Sequence, residues 1–425
     1  RAGRPERALS DREVSLSQLY FSSLQVYITS LIYYADVVSN IVVRYPLTER
    51  LIVFPSTHIT PPTGFSLESH RMKTLVDVAV TIAEQSKKKV LVPTVTMSAH
   101  RLTHTASFTS RRMLFSFGIG VLNALISWVR RPRRIKILIS DYWKNVASYV
   151  KNLDSVEVIL IDRTEVFNVR LSNIVKFRMR FLHLDAYAQK SSSDREQARN
   201  RIVKEWQSIR NDCTAFLFRG FSLQSLVLHA LDSIVDDAVT KSLKDIDDAY
   251  MLLTRLKPDV VELRTTIGVQ THVGILAQIA HILGIHSLEM QHGLEYYGSG
   301  SMDRRHSAEI MGVYGKLIQR EMKETGVSIK SVLIGSPRFD VYASLKKKKM
   351  YNTQKSKQKV TFLCIAPPVF PGMATDTYDV EEYFKTIGSA LRTIPDSSAI
   401  IKLRGKHRES FYRSAIDSAF VGVPY

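Results

Sequence analysis

Cysteine is nearly missing from this chain. Two residues, Cys213 and Cys364, stand among 425. They lie far apart and fit no metal-ligand spacing, which excludes a disulfide framework and a zinc ribbon and leaves two small core thiols in a reducing compartment. HExxH and CxxC are absent and the 12 histidines are scattered, so no structural zinc is expected. Neither a P-loop nor a GxGxxG occurs, and no repeat of solenoid length is present. Acidic residues are scarce: 40 Asp and Glu face 59 Lys and Arg, a net charge of +19. That surplus points to an acidic partner surface, whether anionic lipid, nucleic acid or phosphorylated substrate. The cations are spread over many segments and no RNA- or DNA-binding motif accompanies them, so nucleic acid is not expected.

What is present is a βα rhythm in a chain long enough for more than one core. Residues 14–43 are long enough to span a bilayer. Tyr, Ser, Gln, Asp36 and Asn40 recur among them, and these favour a buried helix. Strands are predicted at 50–55, 88–95, 135–140, 156–161, 258–263, 286–290, 308–314 and 331–334. Helices are predicted at 69–85, 141–153, 191–207, 223–256, 268–283 and 316–325. Alternation of that kind indicates parallel βαβ units. Residues 171–186 read as helix or loop. The basic run 345–359 has no periodicity and reads as a linker. Beyond it the rhythm resumes with a strand at 360–365, a helix at 380–392 and a strand at 399–403. The last segment, 420–425, is strand-like, and the chain reads as a fragment. The predicted fold class is α/β with a helical segment at 1–47, a Rossmann-like domain at 48–344, the linker at 345–359 and a partial second Rossmann-like domain at 360–425.

Three stretches carry possible chemistry, and a fourth a possible membrane contact. The run 286–290 ends in Gln291-His292-Gly293. In an open α/β sheet, ligands sit outside the carboxyl ends of the strands. His292 there suits a general base taking a proton from a hydroxyl, or else a ring hydrogen-bonding its own loop. Gly335-Ser336-Pro337-Arg338 offers backbone N–H groups, a hydroxyl and a guanidinium, which fit either a phosphate or a tight turn with Arg338 paired to Asp340. Lys402, Arg404, Lys406, His407 and Arg408 cluster past a strand end, either to neutralise a diphosphate or as a solvated turn. Residues 113–129 hold no charge. They are bracketed by Arg111 and Arg112 before and by Arg130, Arg131, Arg133 and Arg134 after, with Trp128 near one end. An apolar body, basic flanks and an interfacial Trp suit a helix in the headgroup layer of an acidic membrane; a buried crossover helix explains the apolar part but not the arginines.

The strand ending in QHG, the strand ending in YG, and VLIGSPRFD together resemble the bacterial surface-polysaccharide glycosyltransferases and the CDP-glycerol glycerophosphotransferase-like enzymes. PDVVEL, GILAQIAHILGI and IIKLRGKH fit the same pattern. The similarity covers residues 252–340 best and extends weakly to 416. His407 is followed by Arg408 where the family has proline. The resemblance implies the two-Rossmann-domain architecture called GT-B, with the second domain cut short. It implies a nucleotide-sugar or CDP-polyol donor as substrate, no cofactor and no metal, and a glycan or lipid-linked acceptor. By the same resemblance His292 is catalytic, and Gly293, Gly335, Ser336, Arg338 and Lys402 lie at the donor phosphates. The expected setting is a cytoplasmic enzyme, peripheral to the inner face of the plasma membrane and acting in cell-envelope or capsule assembly. A sugar-nucleotide 2-epimerase and a non-catalytic scaffold of the same fold are the alternatives.

Overall fold

The computed structural model describes residues 14–53, 67–92, 121, 124–125, 135–141, 156–161, 179–187, 193–212, 216–266, 271–291, 306–336, 361–365, 377–402 and 409–425. In chain order the elements begin with α1 (Leu16–Arg44), β1 (Arg50–Ile52), α2 (Leu67–Gln85) and β2 (Lys89–Leu91). Then come β3 (Ile135–Ser140), β4 (Val156–Ile161), β5 (Arg180–Leu182), α3 (Ser193–Arg210), β6 (Leu217–Phe218) and β7 (Phe221–Ser222). A long helical stretch follows: α4 (Gln224–Ser233), a π turn (Ile234–Ala238) and α5 (Val239–Leu256). The rest are β8 (Val260–Leu263), α6 (Thr271–Ile282), β9 (His286–Met290), β10 (Ile310–Val313), α7 (Lys316–Glu324), β11 (Lys330–Leu333), β12 (Thr361–Ile365), α8 (Thr377–Arg392), β13 (Ser398–Lys402) and α9 (Glu409–Ala419).

The chain forms two compact units, one of Arg1–Thr29, Pro62–Leu67 and Thr94–Tyr342, the other of Ser30–Pro61, Glu68–Pro93 and Ala343–Tyr425. The division falls once inside α1.

The first unit is a Rossmann-like α/β fold. Its sheet has seven strands in the order β11-β10-β9-β8-β3-β4-β5, all parallel. From β3 the chain steps outward through β4 to β5, then returns to β8 beside β3 and steps the other way. The order therefore reverses between β3 and β8. The core joins Leu138, Ile159, Ile161, Val261 and Leu263 of the sheet to Leu252, Leu253 and Leu256 of α5 and to Ile275, Leu276 and Ile279 of α6. Burying each such side chain contributes about 1.5–3 kcal/mol, in keeping with the mostly apolar sequences of β4 and β8, which Glu157 and Glu262 interrupt. Gly284, at φ +68°, ends α6 in the left-handed turn that a C-terminal glycine permits.

α3 has no buried residue. Polar side chains attach it instead. Arg195 pairs with Asp247 at 2.8 Å, Arg199 reaches Thr240 at 2.9 Å, and Trp206 and Arg210 both donate to Asp232. Two features differ from the sequence reading. Residues 180–182 form edge strand β5 rather than helix or loop, because pairing with Ile159–Ile161 of β4 decides a segment too short to show periodicity. The predicted helix over 223–256 is broken by the π turn, where the Tyr20 hydroxyl donates to Ala238 O at 2.7 Å.

In the second unit, β1 and β2 form one parallel pair and β12 and β13 another. Lys88 donates to the carbonyls of Pro46 and Thr48 and so ties the strand β2 to the end of α1. Phe384 of α8 meets Tyr412 of α9 and Phe420 edge-on. Helix α8 comes closest at Gly388, where a Cβ would strike the carbonyl of Ala419. Residues 420–425 are turns rather than the expected strand. Gly422 adopts φ +79°, and a single bond from Ala399 N to Pro424 O holds the segment beside β13.

Candidate functional site

The carboxyl edge of the parallel sheet gathers the polar ends of β3, β8, β9, β10 and β11. At the point of strand reversal, Arg264 N donates to Ser140 O at 3.1 Å, so β8 and β3 stay paired one residue beyond the ladder. Ser140 is buried there, followed by Asp141. Beyond β9, Gln291 is 2% exposed. Its N–H donates to Gly312 O at 3.0 Å and its Oε1 accepts from Tyr314 N at 2.7 Å. Both bonds bind the end of β9 to β10.

Within the same edge lies a buried polar network that sequence reasoning missed. The Glu289 carboxylate accepts from the Thr266 hydroxyl and faces His306 Nδ1 at 3.0 Å. The side chains of Glu289 and His306 are each 1% exposed. Ser307 N donates to Thr266 Oγ1 at 2.9 Å, and Glu309 N to Ser287 Oγ at 2.9 Å. Residues 306–309 thus run down the face of β9 on a ladder of side-chain bonds before β10 starts. At the far end His286 binds Glu309 at 2.9 Å, and this hydrogen bond holds the Glu309 carboxyl below the usual range. Above the network, a Cβ on Gly274 of α6 would meet Leu19 at 2.7 Å and Thr266 O at 3.3 Å. Glycine there lets the helix sit down on the ladder. The signal was available in principle: an acidic residue in the middle of HSLEM, on an interior strand of a parallel sheet, requires a partner once buried. Chemically, a carboxylate on Nδ1 fixes the imidazole tautomer and orients the ring. Both groups are buried, and the pair ties residue 306 to β9.

Of the predicted site residues, Gly335, Ser336 and Lys402 are described. Gly335 adopts φ +68°, a left-handed conformation suited to glycine. It turns the chain off β11 so that Ser336 Oγ is buried, with no hydrogen-bond partner among the described residues. These two lie on the same edge as Gln291, two strands away. Lys402 ends β13 in the other unit and is exposed. His292, Gly293, Arg338, and the bracket Arg111, Arg112, Trp128, Arg130, Arg131, Arg133 and Arg134 lie outside the described residues. No described helix is long and apolar enough to cross a membrane. Among the described residues no group of three or more His, Cys, Asp or Glu is placed to hold a metal ion.

No family model and no curated protein matches the chain. Among solved structures it is similar to a protein assigned as a UDP-N-acetylglucosamine 2-epimerase, from Listeria monocytogenes. The identity is 9% and the TM-score 0.36, over 68% of this chain and 67% of that one. A second UDP-N-acetylglucosamine 2-epimerase is similar at 10% identity and a TM-score of 0.32, over 68% and 67%. Likeness at this level says nothing of substrate or reaction.

Proposed function

We propose that the chain is a nucleotide-sugar-dependent enzyme of glycosyltransferase type. It transfers a sugar, or a polyol phosphate, from a nucleotide-activated donor to a glycan or lipid-linked acceptor of the cell envelope or capsule. The observation that carries this reading is the buried hydroxyl of Ser336, which has no hydrogen-bond partner among the described residues. It follows a left-handed glycine at the carboxyl edge of a doubly wound parallel sheet, where such folds bind ligands. A hydrogen-bonding group withdrawn from water and left open costs stability that bound ligand would restore.

In the reaction, His292 removes the proton of an acceptor hydroxyl. The freed oxygen attacks the activated carbon or phosphorus of the donor. The bond to the nucleotide phosphate breaks, and its electrons leave on that phosphate. Gly293, Gly335 and Ser336 supply donors to the phosphates, while Arg338 and Lys402 neutralise the departing charge. The donor is a substrate, and no cofactor is assigned. The arginines around residues 113–129 hold the enzyme to the inner face of the plasma membrane, beside a lipid-linked acceptor.

The test is a panel of nucleotide sugars and CDP-glycerol, read by release of nucleoside phosphate. Acceptor-dependent release is expected. His292→Ala should lower kcat at least ~100-fold, the lower end for loss of a general base, with the melting temperature nearly unchanged. Sugar interconversion without acceptor would identify an epimerase. Silence with no nucleotide binding would leave a non-catalytic binding protein.

A further inference from the structure

The function above leaves unused a groove on the flank of the first unit. It has a volume of about 760 Å³ and runs between α7 and β11. Met322, Val327 and Ile329 form its floor, and Lys316, Arg320 and Lys323 stand along its α7 wall. We propose that this groove docks an extended acidic segment of a partner protein, which adds to the sheet beside β11 as an eighth strand.

Two independent observations lead there. The first is the strand. β11 ends the sheet order, and among the described residues no strand lies beyond it. Three of its four residues are exposed, with Val332 at 40% and Leu333 at 43%. Parallel strands are ordinarily covered on both faces, and an open edge offers backbone N–H and C=O groups as a template for another chain. The second is charge. Lys316, Arg320 and Lys323 recur at the spacing that puts residues on one helix face. Lys316 and Lys323 make no ion pair among the described residues. Arg320 meets Glu324 only at 3.7 Å, with the two side chains 67% and 64% exposed, an interaction worth little against water.

The two observations fit one ligand geometry. Lys316 and Arg320 are separated by ~6 Å along the helix axis. Residues on one face of a strand recur every ~6.7 Å. A strand laid along β11 with Asp or Glu at alternate positions therefore sets its carboxylates opposite successive cations. Its intervening apolar side chains fall on the opposite face, beside the exposed Val332. A lipid headgroup or free phosphate would meet the cations but leave the strand edge unpaired.

The experiment uses the full chain and a fluorescein-labelled synthetic peptide of about six residues alternating Glu and Val, long enough to match the four-residue edge. Saturable binding by fluorescence anisotropy is expected. In the double variant Lys316→Gln, Lys323→Gln, affinity should fall on the order of tenfold or more. The same peptide N-methylated at alternate amides keeps its charge but loses its pairing groups and should not bind. Melting curves of the double variant check that it folds. Equal binding of the methylated peptide, or equal binding by the variant, would overturn the proposal. So would displacement of the peptide by millimolar inorganic phosphate, or binding of phosphatidylserine vesicles through these lysines while the peptide does not bind.

Discussion

Ser336 is a hydroxyl that folding has taken from water without giving it a partner among the described residues. Glu289, two strands away, is the opposite case: its carboxylate is buried and meets both Thr266 and His306. The contrast sets the hydroxyl proposed to bind donor against a carboxylate whose bonds are made within the fold. Glu289 relieves its own desolvation through bonds that anchor residues 306–309. Ser336 relieves nothing, and a cost of about 1 kcal/mol attaches to such a group. Ser336→Ala should accordingly raise stability by about that amount in urea unfolding. It should also raise the donor KM while leaving the fold intact. A loss of stability would mean that the hydroxyl has a structural bond, and the donor role would go with it. The glycine before it and the strand end beneath it were legible in VLIGSPRF. The network around Glu289 was not, because Thr266, Glu289 and His306 are brought together from three separate segments.

At the level of elements, the joint between α4 and α5 shows how tertiary contacts reshape a helix that local pattern makes continuous. The Tyr20 hydroxyl donates to Ala238 O at the end of the π turn and lies 2.5 Å from Ser242 Oγ. Burial, outweighing the opposing Ser242 hydrogen bond, pushes its pKa from 10.0 up to about 12. A folded-state pKa above the unfolded one means that the protonated phenol stabilises the fold. That contribution is complete below pH 10 and is lost as pH rises through about 12. Tyr20→Phe should therefore cost about 1–2 kcal/mol at neutral pH, through the lost hydrogen bonds. The gap between variant and parent should hold steady to pH 10 and close toward pH 12. Denaturation midpoints measured across that range decide it: a gap unchanged at high pH would show that the phenol does not ionise with unfolding. The apolar positions of 223–256 foretold helix correctly. The hydrogen bond at the end of the π turn comes from a tyrosine some 200 residues upstream, beyond the reach of any local pattern.

For the molecule as a whole, the net charge of +19 makes association with acidic surfaces a property of the entire chain. If the arginine bracket around residues 113–129 contacts lipid, sedimentation with phosphatidylserine-containing vesicles should exceed that with neutral ones. The binding should weaken as salt shortens the Debye length from ~10 Å at 0.1 M to ~3 Å at 1 M. Equal sedimentation with neutral vesicles would remove the membrane from the picture. The α/β class, most strand positions and the parallel character of the sheet were readable from the chain alone, because period-2 and period-3.6 burial leave their marks within a single segment. Strand order, the reversal between β3 and β8, and the open flank at β11 were not, because neighbouring strands come from segments widely spaced in sequence. The division into units belongs with these. Residues 30–61 and 68–93 group with 343–425, a partition made by packing between distant segments, for which composition and periodicity carry no mark. Local chemistry wrote the elements; which edges and faces they share was settled when their apolar surfaces were buried together.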